Sequence, residues 1–339
     1  MSEFPVLKIS PAAFRGAERI RGGAAEKYRV NLPDIGTVIL KLDEESLNGA
    51  WVEKITYELA KLINIPAATY KFAELFDGRR AIISPNYLLP SHDEQSGKSL
   101  LNTSFGQGNY QYTVDTVLSA VAANQIEIHS SFNLFSQVET AADLLAGYLI
   151  FDYWIDNIDR HYENWGIQID SVTGKKELLP TYDHGLSLGF LLFDEEYLDL
   201  APANHVQNQS SAFFGSKGRS LSMNGMLATV VSLKPAAVKV WLERIAQIDR
   251  QTVSELFDRI PEGWISEPAK NFAIELLEFN RQQIASICEL ALPELPEIEN
   301  PPDSPEPPAA PVRNPPKPPN SPDPSNLPEP ITSADSESI

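Results

Sequence analysis

The 339 residues contain a single cysteine, Cys288. A disulfide framework is excluded, and a cysteine-rich metal site very nearly so. The usage suits a reducing, intracellular compartment. Long apolar runs are missing too. Residues 144–151 form one such run, but it stops at Asp152, far short of the roughly 18 residues of a membrane span. Near the amino terminus, Glu3 and Pro5 interrupt any signal-peptide core. Positive charge is scarce, with 27 Lys and Arg against 46 Asp and Glu, a formal −19. That balance argues against a protein whose main work is gripping nucleic acid or an anionic membrane face. His92, His129 and His205 are scattered without ligand spacing, so no structural zinc is expected. Internal repeats are absent. The expectation is an acidic, soluble, cytoplasmic protein.

The residues are 42% hydrophobic and 9% aromatic, enough for a sizeable core, and the length allows two lobes. Proline marks where folding stops. Sixteen of the 27 prolines fall in residues 293–339, with nine acidic residues, two basic ones and no aromatic. Such a segment buries too little to offset its ordering entropy, so we expect a disordered, partly polyproline-II tail. Its stretch Arg313-Asn-Pro-Pro316-Lys-Pro-Pro319 would suit an SH3-type groove, although a solvated spacer has the same composition.

Residues 1–90 read as a strand-rich unit with one helix. Tyr28-Arg-Val30-Asn-Leu32 alternates, Pro33-Asp-Ile-Gly36 turns, and 37–42 is a β-branched run. Trp51, Val52, Ile55, Leu59, Leu62 and Ile63 keep helical spacing before Pro66. Two more strands, 68–75 and 79–87, flank the Asp77-Gly78 turn. From about residue 112 the pattern becomes helical, with helices predicted over 141–156, 235–250, 252–257 and 268–290. The fold class is α+β, a small β-rich lobe (1–90) before a larger helical lobe (91–292).

The densest chemistry lies in Asp152-Tyr-Trp-Ile-Asp-Asn157-Ile-Asp159-Arg-His161-Tyr-Glu-Asn164-Trp-Gly166, followed by Tyr182-Asp183-His184-Gly185. An aspartate, an asparagine five residues on, and a second aspartate beside a glycine suit phosphoryl transfer from a magnesium nucleotide. One carboxylate takes the proton of an attacking hydroxyl, while the amide oxygen and the second carboxylate offer hard oxygens to magnesium. Read alone, the same residues also cap helices and start turns. Other elements stand in matching order. Lys41 ends a strand, and Glu53 and Glu58 ride the next helix. Arg21-Gly22-Gly23-Ala24-Ala-Glu-Lys27 is a glycine loop able to approach phosphates. His184 suits a packing role, and Ser210, Ser211 and Ser216 sit in a polar stretch open to phosphorylation or to ordinary loop duty.

In these motifs, over about residues 15–290, the chain resembles the HipA-type bacterial serine/threonine kinases, which include toxins of toxin–antitoxin pairs. Gly23-Ala-Ala-Glu-Lys27 resembles their phosphate loop, and Asn157-Ile-Asp159-Arg-His161-Tyr-Glu-Asn164 their catalytic loop. Pro180-Thr-Tyr182-Asp183 resembles the metal segment, and Ile83-Ser-Pro-Asn-Tyr87 the strand entering the hinge. The resemblance implies a protein-kinase-like bilobal fold and an ATP- and magnesium-dependent kinase acting on protein serine or threonine. It implies Asp159 as catalytic base and Asn164 and Asp183 as magnesium ligands. Lys41 would orient the phosphates, paired with Glu53 in preference to Glu58. Gly22, Gly23, Ala24 and Lys27 would cradle the nucleotide. His161 would contact phosphate or bond the loop backbone. Ile20 or Arg21 stands where some members carry an inhibitory autophosphorylated serine, and the extra amino-terminal subdomain of longer members is not expected. An antitoxin-like or DNA-binding partner follows from the resemblance, and the acidic surface suits a basic protein substrate. The segment 152–160 also resembles type II phosphatidylinositol 4-kinases, which leaves a lipid kinase as one alternative. A non-catalytic nucleotide- or partner-binding module is another.

Overall fold

Alternation and turn chemistry build the first lobe. The computed structural model describes residues 2–20, 25–43, 49–86, 91–190, 192–215 and 217–291. The proline-rich tail with its SH3-type motif, the trio Gly22, Gly23 and Ala24, Tyr87, and Ser216 lie outside the described residues. Strands β1 (Val6–Ile9), β2 (Glu18–Ile20), β3 (Lys27–Leu32) and β4 (Gly36–Leu42) surround a short helix, α1 (Pro11–Arg15). Val30 and Leu32 in β3, and Val38, Leu40 and Leu42 in β4, point inward while their neighbours stay outside. Gly36 takes the left-handed φ of +85° that closes the hairpin.

Helix α2 (Ala50–Leu62) follows, its first turn held by the Asp43 carboxylate, which accepts the Gly49 and Ala50 N–H groups at 2.6 and 3.1 Å. The helix stops at Ile63, where Asn64 turns left-handed at φ +57° ahead of Pro66. Strands β5 (Lys71–Leu75) and β6 (Arg80–Pro85) then complete a six-stranded sheet of order β1-β5-β6-β4-β3-β2, with β1 and β5 parallel. One sheet face carries Val30, Val38, Leu40, Leu75 and Ile83 in a small core of its own. From the other, Phe72 and Ile82 join α2 and the main core. The lobe holds more than the sequence suggested, because β1, α1 and β2 are too short to leave a periodic signal.

The larger part of the chain comprises β7 (His92–Ser96), α3 (Gly97–Phe105), α4 (Val114–Ala123), α5 (Ala141–Trp154), β8 (Gly166–Asp170) and β9 (Lys176–Leu178). It continues through α6 (Asp194–Asp199), α7 (Pro202–Gln207), β10 (Ser210–Phe214), β11 (Ser220–Ser222), α8 (Met223–Leu233), α9 (Pro235–Gln247), α10 (Arg250–Phe257) and α11 (Glu267–Ala291). Every residue of α5 is buried, as a helix hydrophobic on all sides must be, and a Thr140–Asp143 capping box starts it. The helical lobe also carries two small sheets, β7-β8-β9 and β10-β11. Strand β7 reads HDEQS, with no apolar alternation to announce it. It is a strand because β8, bearing Ile167 and Ile169, gives it a partner. The fold is α+β, a β-rich lobe followed by a helical one. Among the described residues no helix is long and apolar enough to cross a membrane.

Candidate active site

A cleft of about 320 Å³ is lined by the first sheet and by the chain that leaves β9. Its lining includes apolar Ile39, Ala68, Ile82 and Leu179, the strand residues Ser84, Pro85 and Asn86, and charged Lys27, Lys41, Glu53 and Asp183.

The charged cluster follows from strand register. Lys27 and Lys41 stand directly opposite each other on β3 and β4, so both side chains leave the same sheet face. Lys27, read from the sequence as part of the glycine loop, is the first residue of a strand. Lys41 Nζ lies 3.1 Å from Glu53 Oε1 and 3.4 Å from Asp183 Oδ1, and Lys27 Nζ lies 3.9 Å from Asp183 Oδ2. The second oxygen of Glu53 accepts the His184 N–H at 3.1 Å. One carboxylate on α2 thereby joins the lysine to the segment carrying Asp183. Glu58 is spent elsewhere, against Lys54 and Lys61 within its own helix. Gly185 lets these groups close up, because a Cβ there would lie 3.3 Å from Lys41 Nζ and 3.4 Å from Glu53 Oε1.

Burial alone would lower the Lys41 pKa, but the Glu53 and Asp183 carboxylates outweigh it and the net shift is upward. For Asp183 burial pushes up, and Lys41 and Lys27 more than reverse it, leaving the carboxyl below its usual range. His184 is fully buried, meets Thr181 Oγ1 at 3.0 Å and sets its edge on Phe151. Burial holds its pKa well below the ordinary value, so the ring is a neutral packing group.

The loop after α5 is shaped by a buried frame. Asp156 adopts a left-handed φ of +57°, and its carboxylate meets His205 Nε2 of α7 at 2.9 Å. The Asp152 carboxylate accepts Asn157 at 2.7 Å and the Arg160 guanidinium twice at 2.8 Å. Arg160 then donates to the carbonyls of Asn164 and Tyr182, the latter at 2.8 Å, fastening the loop to the residue before Asp183. Tyr112 donates its hydroxyl to the Arg160 carbonyl at 2.8 Å and stacks on Phe213 of β10 at 4.7 Å. Asp159 remains partly exposed. Burial raises its pKa, His161 opposes, and the charge of Asp183 adds to the rise. His161 Nε2 stands 3.8 Å from Asp159 Oδ2, and its Nδ1 accepts the Glu163 N–H at 3.1 Å.

Asn164 Nδ2 donates to the Asp159 carbonyl at 2.7 Å and to Asp159 Oδ2 at 3.1 Å. That spends the amide nitrogen and leaves the amide oxygen for another task. Asp183 meets its two lysines at 3.4 and 3.9 Å, longer than a settled charge-assisted bond of about 2.8 Å. An amide oxygen and a loosely held carboxylate are hard donors, and this set fits magnesium.

The structure therefore brings Lys27, Lys41, Glu53 and Asp183 together, with Asp159, His161 and Asn164 on the adjoining loop. Sequence reasoning missed Tyr70, whose hydroxyl accepts the Asp183 N–H at 3.3 Å, and Tyr112. Neither lies in a motif. Ser211 is buried and bonds the Leu221 carbonyl, so it does not offer an accessible hydroxyl, whereas Ser210 is exposed.

Solved structures share this architecture. The Helicobacter pylori proinflammatory kinase CtkA superposes with a TM-score of 0.65 at 16% identity, over 84% of this chain and 97% of that one. HipA, from the Shewanella oneidensis MR-1 toxin–antitoxin complex with HipB and operator DNA, superposes with a TM-score of 0.50 at 17% identity. That match spans 80% of this chain and 65% of the other. At such identities the likeness is one of fold, and the fold is that of HipA-type kinases. No family model matches the chain, and no curated protein matches it in sequence.

Proposed function

We propose that this protein transfers the γ-phosphoryl group of ATP, with magnesium, to a serine or threonine hydroxyl of a protein. The observation that carries this reading is the meeting of Lys41, Glu53 and Asp183 in a cleft that apolar side chains also line. A lysine held by a helix carboxylate orients phosphates, and an apolar slot beside a strand edge suits a purine. In this reading residues 1–90 bind nucleotide, 91–292 carry the catalytic loop and receive the acceptor, and 293–339 form an extension. Lys41 and Lys27 hold the phosphate oxygens, with Gly22, Gly23 and Ala24 contributing to the same cradle.

Asp159 takes the proton as the acceptor oxygen bonds to phosphorus and ADP leaves. Its raised pKa makes it a better base than an ordinary aspartate. His161 steadies that carboxylate from one side and Asn164 from the other. Asn164 and Asp183 would hold the magnesium, which when bound neutralises phosphate charge. An antitoxin-like, DNA-binding protein is the partner this reading favours. The HipA neighbour is seen with HipB and DNA, and a basic partner or substrate suits a chain of net charge −19.

The test is intact-mass spectrometry after incubation with magnesium and ATP, with Asp159→Ala in parallel and a panel of protein and lipid acceptors. Mass gain or protein phosphorylation by the parent alone supports the proposal. Transfer to lipid alone favours the lipid-kinase alternative. Nucleotide binding with no transfer to any acceptor favours a non-catalytic module.

A further inference from the structure

One buried pair beside the catalytic loop has no part in the proposed reaction. His205 Nε2 lies 2.9 Å from Asp156 Oδ2, and both residues are buried. The other Asp156 oxygen is buried too, with no hydrogen-bond partner among the described residues. Asp156 also holds a left-handed φ of +57°, a conformation that costs a residue with a Cβ. A glycine would make this turn with no strain and no carboxylate to satisfy. The aspartate makes the turn depend on a partner from elsewhere in the chain.

That partner is placed independently of the loop. The His205 and Phe272 rings meet nearly at right angles, 5.5 Å apart. Val206, the next residue of α7, packs with Phe272 and Leu276 of α11 in a small cluster separate from the main core. Gln209 also faces the histidine, its amide nitrogen 3.4 Å from Nε2. From Asp156 the path to the reaction is short. Asn157 donates to Asp152 at 2.7 Å and accepts the Asp159 N–H at 3.2 Å. The residue after the turn thus holds the backbone of the proposed base.

We infer that His205 is a positioning residue for phosphoryl transfer. It donates to the Asp156 carboxylate, holds the left-handed turn and, through Asn157, fixes where Asp159 stands. Burial raises the Asp156 pKa and His205 opposes that rise, so the pair favours the ionised acceptor. A shift of about 1 Å in a reacting group can cost 10²-fold in rate, so the turn matters to the chemistry. The segment after Asp183 therefore sets the base as well as the metal carboxylate. The inference rests on the phosphotransfer reading, since it takes Asp159 to be the base.

The experiment is steady-state transfer from labelled ATP with magnesium by the full chain, with histone, casein and the chain itself as acceptors. The variants are His205→Met, which keeps bulk against Phe272 but cannot donate, and His205→Gln, which can. A third combines His205→Met with Asp156→Gly. Each is also melted calorimetrically, and rates are read well below Tm. His205→Met should lower kcat on the order of 10- to 100-fold and leave the KM for ATP unchanged. His205→Gln should recover most of that loss. Adding Asp156→Gly should speed the methionine variant by about fivefold or more, since glycine needs no donor to hold the turn. Parent kcat in His205→Met with a lowered Tm makes the pair structural only and overturns the inference. A double variant no faster than His205→Met, or a glutamine variant as slow as it, overturns it too. His205→Ala replaces the methionine variant if that one does not fold. In all these outcomes the parent turns over and the phosphotransfer reading stands. If the parent labels no acceptor, that reading falls and this assignment falls with it.

Discussion

The Lys41–Glu53–Asp183 cluster and the Arg160–Asp152 pair are both meetings of cation and carboxylate, yet they are built in opposite ways. Arg160 and Asp152 are sealed, at 1% and 0% exposure, and joined twice at 2.8 Å, with the remaining guanidinium capacity spent on two carbonyls. Lys41 is a quarter exposed and divides its charge between two carboxylates at 3.1 and 3.4 Å, one of them shared with Lys27. A closed bidentate pair in low dielectric has nowhere to go and acts as a frame. A lysine among loose partners at the lip of a cleft can take up a new anion at little cost. The Arg160–Asp152 pair holds the loop in place, and the Lys41 cluster is the part equipped to meet a ligand.

The comparison is broken most severely by removing groups from the loose cluster and the adjoining Asp159, the proposed base. Lys41→Met and Asp159→Asn should each cut phosphoryl transfer by about 10²–10⁴-fold, measured by radiolabel transfer, while the unfolding transition stays cooperative. If either variant kept parent activity, the site would be misassigned. Arg160→Met should do the reverse and strike stability first. It leaves Asp152 buried without its cation, at a cost of about 3–5 kcal/mol in urea unfolding.

A finer contrast lies within α2. Glu53→Gln should slow transfer on the order of 10²-fold by misplacing Lys41. Glu58→Gln should leave transfer alone and lower stability by about 1–3 kcal/mol, because it strands the buried Lys54. Equal effects from the two would erase the distinction between the faces of that helix.

The smallest effect is a sign rather than a size. Asp159 has a raised carboxyl pKa, so folding favours its protonated form. That contribution is full below the unfolded pKa of about 3.9 and is lost as pH rises through the folded value. At neutral pH, Asp159→Asn should therefore raise Tm. Asp183 is depressed, and its contribution is present above about 3.9 and lost as pH falls through the folded value. Asp183→Asn should therefore lower Tm at neutral pH, with the deficit shrinking in acid. Shifts of the same sign in calorimetric scans would contradict the electrostatics of the cleft.

Much of the fold was legible where periodicity or turn chemistry was strong. The β3–β4 hairpin, α2 and α5 appear where alternation, helical spacing and a long apolar run placed them. Strand β7 was not legible, because a polar pentapeptide becomes a strand only when β8 supplies the other half of its ladder. In the site, the spacing of Asp159, Asn164 and Asp183 marked the two segments that the structure brings to the cleft. The order of motifs could not say that Tyr70 would hold the Asp183 N–H, or that Tyr112 would brace the loop from beside β10. Those contacts join residues 113 and 48 positions apart, and neither partner has a local reason to be tyrosine.

By itself the sequence determined the acidic charge, the absence of any disulfide framework, the strand-then-helix order and which charged residues were available to a site. Composition and local spacing act through near neighbours, and these properties need nothing more. Only the tertiary structure decided between Glu53 and Glu58. Both ride one helix with partners in reach, but packing α2 on the sheet turned one toward Lys41 and left the other to its own helix. It also set Lys27 opposite Lys41 and carried Asp183 to both across more than 140 residues of chain. Charge interacts through space and not along the sequence, so the site exists only once the chain has closed.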